Sequence, residues 1–289
     1  MSSPLTDKIN ALTAYVNEVT GESDTTLSDA VATLADGYGQ GEGISDGVEI
    51  LERGSDGFAT KARLYGSGPV YESQFSCGNS NGRNAIGPWQ KIEEIEVAYK
   101  PTSIGSRAFV GLNTLTSFTC DISEVQSVGQ SAFRATTGLG ALVFPKVTTI
   151  GSTCFTSSGI TGASFPLFND QIPNETFQTC TSLTTVSFPR ATKIGAYSSN
   201  VFKNCTALAT ADFGSVGYPI SDIRPDAFSG CTQSTLTITV YTNGTNVDAH
   251  ISNIRNGATN ATIIIKASEA TTYGGTSYAA GDTILTSTP

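Results

Sequence analysis

A phenylalanine returns along this chain at nearly even intervals, and few folds besides a stacked array produce such a pattern. Phe109, Phe133, Phe155, Phe177, Phe202 and Phe228 are separated by 24, 22, 22, 25 and 26 positions. Five residues before most of them stands an aliphatic residue, often followed by Gly: Ile104-Gly105, Val128-Gly129, Ile150-Gly151, Ile172 and Ile223. One copy, Ile194-Gly195 to Phe202, is stretched to eight. A fixed period in this range marks coils that each hold one supersecondary unit and stack on their neighbours.

A second phrase follows each Phe and reads L-x-x-L-x-L with substitutions. Its copies are Leu115/Phe118/Cys120, Leu139/Leu142/Phe144, Ile160/Ala163/Phe165, Leu183/Val186/Phe188 and Leu208/Ala211/Phe213. An earlier copy is Ile92/Ile95/Val97, and a degenerate last one is Leu236/Ile238/Val240. Alternation in the final three residues is the period of a strand. Pro145, Pro166 and Pro189 follow three of these strands, where proline removes no ladder bond. The pattern predicts strands near 95–97, 118–120, 142–144, 163–165, 186–188 and 211–213, parallel and adjacent in one sheet. Seven such strands at the usual spacing would make a sheet about 30 Å long.

The sequence Ile172 to Pro189 (IPNETFQTCTSLTTVSFP), with Ile194 to Phe213, resembles the BspA-like leucine-rich repeats of bacterial surface proteins. The resemblance covers about residues 92–240. It implies a solenoid, a role in adhesion or host-factor binding, and no catalytic residues. Cys180, Cys205 and Cys231 occupy the family's cysteine position, three after Phe, where Leu112, Thr136 and Ser158 stand in earlier coils. Those replacements speak against a disulfide ladder and for buried free thiols.

The flanks read differently. Leu5, Ile9, Leu12, Val16 and Val19 are spaced 4, 3, 4, 3, the seam of a helix. A second helix is expected over 26–36, ended by Gly37, and a glycine-rich linker over 37–47. The short seam must bury its stripe in a hairpin, in a homo-oligomer, or on a partner through residues 1–36. Short β-like runs at 48–51, 62–65 and 70–75 predict a β-rich cap before the first coil, and 241–289 a cap after the last. The predicted class is therefore α+β: a helical segment (1–40), a β-rich cap (41–91), a leucine-rich-repeat solenoid with a parallel sheet (92–240) and a C-terminal β cap (241–289). The opening segment and the phrase at Asn256–Ile263 resemble parts of phage structural proteins of gut bacteria.

Charge excludes some partners. The formal net charge of -9 leaves no basic patch for nucleic acid or anionic lipid. No apolar run is long enough for a membrane helix, and no export signal is expected at the start. The six cysteines form no CxxC pair, and with one histidine no metal or cofactor site is expected. His250 has no nucleophile motif around it and reads as structural. Glu94 and Glu96 share one strand face, which would suit a general acid/base pair, but solvated charges on the first strand are the simpler reading.

Residues on either side of the middle apolar position of each strand face out of the core. They form two columns: Glu94, Ser117, Ala141, Gly162, Thr185, Thr210, and Glu96, Thr119, Val143, Ser164, Ser187, Asp212. The candidate binding residues are Glu94, Glu96, Ser117, Thr119, Thr185, Ser187, Thr210 and Asp212, with the loops 196–200 and 214–221 as alternatives. Such a hydroxyl-bearing surface suits multivalent contact with a cell-surface glycan or protein receptor, or a purely structural role. The expected function is a non-catalytic binding protein of a phage virion, tail- or baseplate-associated; the alternative is a bacterial cell-surface or secreted adhesin.

Overall fold

A computed structural model describes residues 47–70, 87–195 and 200–289. The expected hairpin at 1–36, the linker up to residue 46, Cys77 and most of the loop 196–200 lie outside the described residues. The rest is a stack of β coils. The strands are β1 (Gly47–Arg53), β2 (Ala59–Tyr65), β3 (Glu94–Val97), β4 (Ser103–Ile104), β5 (Ser117–Cys120), β6 (Ser127–Val128), β7 (Gly140–Val143), β8 (Thr149–Ile150), β9 (Ile160–Ser164) and β10 (Gln171–Ile172). They continue as β11 (Thr185–Phe188), β12 (Lys193–Ile194), β13 (Thr210–Phe213), β14 (Asp222–Ile223), β15 (Thr237–Thr242), β16 (Thr262–Ala267), β17 (Thr271–Tyr273), β18 (Thr276–Tyr278) and β19 (Thr283–Ser287). One α-helix, α1 (Val247–Arg255), stands among the described residues. The α+β class is thus corrected to mainly β: the expected helices fall outside the described residues, and the helix that is present lies in the C-terminal flank, where only strands were expected.

The L-x-x-L-x-L phrases are the long strands, and they pair in parallel as expected. Thr185, Val186 and Ser187 lie opposite Gly162, Ala163 and Ser164 on one side and Thr210, Ala211 and Asp212 on the other. The parallel run continues past the recognised repeats, because β15 pairs with β16 from Thr237↔Thr262 to Thr242↔Ala267. The Ile-Gly phrases are the two-residue strands on a second face, in ladders β4-β6-β8 and β10-β12-β14. A Cβ on Gly129 or Gly151 would run into backbone atoms of the preceding coil, at Ser106 and Gln130 respectively. Glycine there is what lets successive coils close to stacking distance.

The Phe turns form a third ladder. The amides of the first five Phe donate to the next coil: Phe109 to Ala132 O (2.8 Å), Phe133 to Cys154 O (2.7 Å), Phe155 to Thr176 O (2.9 Å), Phe177 to Val201 O (2.9 Å) and Phe202 to Ala227 O (2.7 Å). The residues two positions either side take left-handed backbone angles in most coils, as at Thr153 (φ 57) and Ser157 (φ 58) around Phe155. Under this ladder the six rings stack at centroid distances of 5.2, 5.3, 5.3, 5.4 and 5.2 Å. Each ring is fully buried. A second stack, Phe144, Phe165, Phe188 and Phe213, runs beneath the sheet at 4.9, 4.7 and 6.4 Å. Stacked and edge-on rings contribute about 0.5–1.5 kcal/mol per pair beyond their burial.

The expectation of one sheet is corrected to two. β1-β2-β3-β5 form a four-stranded sheet and β7-β9-β11-β13-β15-β16-β19 a seven-stranded one. Two sequence differences coincide with the break. The coil of β5 places Phe118 in the middle strand position, where its neighbours have Ile95 and Leu142, and Cys120 where later coils have Phe. The same coil is two residues longer: Cys120 to Val125 spans five positions, against three from Phe144 to Val147. The extra residues make a 3-10 turn, Ile122–Glu124, capped by Asp121, whose carboxylate accepts from the Ser123 amide at 3.1 Å. Beyond the break the chains meet again, since Gln126 N donates to Thr102 O at 2.9 Å and Thr148 N to Gln126 O at 2.9 Å.

Both ends of the array close with an antiparallel strand. β1 pairs with β2 and β19 with β16, each with an irregular register. Twisted, bulged terminal strands blunt the edges on which parallel sheets would otherwise grow. Helix α1 covers the last two-residue strand. Asn246, Asn253 and Asn256 donate side-chain amides to the carbonyls of Ser221 (3.2 Å), Ile223 (2.7 Å) and Pro225 (3.1 Å). Three amides thereby replace the coil that would have come next.

Candidate functional site

Strand alternation puts both outward columns on the sheet face, and the pairing places them in register. In the seven-stranded sheet, Ala141, Gly162, Thr185 and Thr210 lie side by side, as do Val143, Ser164, Ser187 and Asp212. The columns extend through Thr237 and Thr262, and through Thr239 and Ile264, which the sequence reading had not assigned because the last repeat is degenerate and β16 lies outside the phrase. Small side chains at Ala141 and Gly162 leave a shallow groove of about 290 Å³, bounded by Thr185, Ser187, Thr210 and Asp212. Its floor is largely apolar and its rim carries hydroxyls and the Asp212 carboxylate.

The eight candidate residues divide between the two sheets. Thr185, Ser187, Thr210 and Asp212 gather at the groove. Glu94, Glu96, Ser117 and Thr119 lie on the same kind of face in the four-stranded sheet, with Glu94 opposite Ser117 and Glu96 opposite Thr119. The two carboxylates are occupied: Lys61 meets Glu94 at 2.7 Å and Arg63 meets Glu96 at 2.7 Å. Arg63 also donates to the Tyr65 hydroxyl (3.0 Å), which donates to Glu49 (2.8 Å). The β-like run at 62–65 was visible in the sequence, but its parallel pairing with β3, which brings Lys61 and Arg63 onto the carboxylates, was not. The loop 214–221 forms a short hairpin in which Arg190 sits over the Tyr218 ring at 4.9 Å.

The reactive residue types are spent on structure. Cys180, Cys205 and Cys231 donate to the carbonyls of Phe155 (2.9 Å), Phe177 (3.1 Å) and Phe202 (3.1 Å) in the preceding coils. Thr136 gives the Phe109 carbonyl the same bond. At Thr136, Cys180, Cys205 and Cys231 the position three after Phe therefore holds a small buried donor to the preceding coil, whereas Leu112 fills it with an apolar side chain and Ser158 lies against Cys180 at 3.5 Å. The five cysteines among the described residues are free, and burial pushes Cys180 up to about 11 and Cys231 up to about 12. Such thiols stay protonated and unreactive at neutral pH. His250 is buried on α1, and neither ring nitrogen has a hydrogen-bond partner among the described residues. Burial pushes its pKa down; the Ser221 carbonyl and the Asp222 carboxylate pull the other way without reversing it. Among the described residues no three His, Cys, Asp or Glu side chains come together as a metal site, and no helix is long and apolar enough to cross a membrane.

The coils form a parallel solenoid in which the aliphatic and Phe positions recur from one coil to the next. Residues 102–236, a little under half of the chain, match the family model for the BspA type leucine rich repeat region, in six copies. Among solved structures, the chain is similar to a leucine rich cell surface protein from Faecalibacterium prausnitzii A2-165, with 19% identity and a TM-score of 0.25. The match covers 64% of this chain and 60% of that one. No curated protein matches the chain.

Proposed function

We propose that the chain is a non-catalytic binding protein of a bacterial surface, and that it holds its target on the outward sheet face. The observation that carries this reading is the groove over Ala141 and Gly162, built by in-register columns of a BspA-type array. The family match favours the cell-surface reading over the virion reading: it rests on the repeats at 102–236, whereas the virion reading rested on the flanks. The groove's rim of Thr185, Ser187, Thr210 and Asp212 offers donors and acceptors at strand spacing, which suits a polymer with repeated hydroxyls or amides. Individually weak contacts gain strength when several copies engage together.

The test is binding of the full chain to a glycan array and to intact epithelial cells, with Gly162→Val and Asp212→Lys as groove variants. The wild type should bind and both variants should lose most of that binding while melting normally. Equal binding by all three proteins would remove the groove from the function.

A further inference from the structure

The seam between the two sheets is open where the rest of the array is closed. Ile95, Val97, Ala163 and Phe165 are buried, yet the equivalent Phe118 and Cys120 of β5 are only half-buried. Across the seam, Val143 of β7, on the outward sheet face, is 60% exposed. Gly138 lies against the backbone of Leu115 and Thr116, so the two coils touch before the strands and part along them. Among the described residues, no strand pairs with β5 or β7 on the sides that face each other. Since Phe144 N donates to Ser164 O at 2.8 Å, alternation turns the amides of Ala141 and Val143 toward the seam.

This edge also lacks the usual protection. Neither Ser117–Cys120 nor Gly140–Val143 contains a charged residue or a proline, whereas the terminal strand β1 carries Glu49, Glu52 and Arg53. The charges nearest the seam are already paired, as Lys100 with Asp121 (2.9 Å) and Lys146 with Glu124 (2.5 Å).

We propose that the cleft between β5 and β7 receives one extended polypeptide segment of a partner protein, bonded to the Ala141 and Val143 amides as an added strand. An apolar side chain of that segment, pointing inward, covers Phe118, and an outward one lies against Val143. Two facing strand edges call for a ligand whose donors and acceptors alternate at strand spacing, which a peptide backbone has and a sugar chain does not. A second copy of this solenoid cannot enter, because its terminal strands are antiparallel and bulged and its inner strands are flanked. The cleft adjoins the groove over Gly162 but does not use Thr210 or Asp212.

The experiment selects random linear octapeptides on the full chain, then measures one enriched synthetic peptide. Enriched sequences should place apolar residues at alternate positions. The bound peptide should slow amide exchange at 118–120 and 140–143, read by peptide mapping. Ala141→Pro removes a seam-facing donor and should weaken the peptide by about tenfold. Val143→Lys, at an exposed position, should weaken it similarly and serves if the proline variant does not fold. Asp212→Lys should leave it unchanged, which separates this site from the groove. No enrichment, protection of amides elsewhere, or full binding by Val143→Lys would overturn the proposal, as would a glycan that alone protects these amides.

Discussion

The four strands from β1 to β5 and the seven from β7 to β19 are built on one repeat, yet they are held together differently. The seven-stranded sheet has a row of rings beneath β7 to β13, Phe144 to Phe213, and a face above on which Asp212 is the charge at the groove. The four-stranded sheet has no such row: Val97 and Cys120 stand at those positions, and its face is laced by Lys61–Glu94 and Arg63–Glu96. Ion pairs this exposed add little to stability. What joins the halves is the other side of the coil, where the Phe109–Phe228 stack and its amide ladder pass the break without interruption. Continuity of the solenoid resides in the turn ladder, and the sheet can be interrupted without ending the array.

The largest expected effect follows from that division. Phe155→Ala removes a ring stacked on both Phe133 and Phe177 and should cost about 3–5 kcal/mol in denaturant unfolding. Phe118 is half-buried at the seam and touches Phe109 and Phe133 edge-on, at 5.0 and 5.6 Å. Phe118→Ala should therefore cost clearly less, about 1–3 kcal/mol. Equal losses would mean that the seam is packed as tightly as the turns, and the contrast between the two regions would collapse.

Cys205 probes the buried donors of the turn. Cys205→Ala removes one of two donors to the Phe177 carbonyl, which keeps the Cys180 amide at 3.1 Å, and should cost about 0.5–1.5 kcal/mol, while Cys205→Thr should cost less, because Thr136 already fills the equivalent place. If alanine and threonine destabilise alike, the position is chosen for volume and the donor is incidental. Thermal melts of the two variants side by side decide it.

The C-terminal end of the seven-stranded sheet should be the acid-sensitive one. His250 is buried on α1 with a pKa pushed below its usual value, so the folded state holds its proton less well than the unfolded chain. The cap is then at full stability above the unfolded-state pKa and loses stability as pH falls below it, levelling off below the folded pKa. The protection of amides 247–255, corrected for the intrinsic exchange rate at each pH, should fall between pH 7 and pH 5 more than that of 94–97. His250→Leu should abolish the difference; a flat profile in the wild type would show that the imidazole finds a partner when charged.

The period-two strands and the six Phe positions let the coils, their parallel pairing and both outward columns be read from the sequence. What stayed hidden depends on contacts outside the repeat. Lys61 and Arg63 meet β3 only because β2 joins the array in parallel, and nothing in ATKARLY marks its partner. The break at β5 was written in Phe118 and in two extra residues before Val125, but a change in loop length does not say whether the sheet bends or parts. Helix α1 is short, with Val247, His250 and Ile254 inward, and its anchoring rests on three asparagines whose targets are backbone carbonyls of a distant coil. The groove was legible as two columns; its depth follows from Ala141 and Gly162 lying side by side, which needs the register.

The smallest expected effect concerns the hand of the turn ladder. The residue two after Phe takes a left-handed conformation in every coil: Gly111, Ala135, Ser157, Thr179, Asn204 and Gly230. Gly111, in the coil of β5, suits that conformation, whereas Thr179, in the coil of β11, is β-branched and held there at φ 60. Its amide bond to Lys203 O, at 2.7 Å, forces the conformation whatever the side chain. Asparagine tolerates the left-handed region far better than threonine, and Asn204 already occupies the next rung. Because the Thr179 side chain is exposed, Thr179→Asn should disturb no packing and should stabilise the chain by up to about 1 kcal/mol, read as a rise of a few degrees in Tm. Gly111→Thr, the reverse change at the corresponding rung, should destabilise by a similar or larger amount. A neutral result for both would mean that the ladder sets its own backbone angles at no cost, and that these positions record the composition of the coils and not the strain within them.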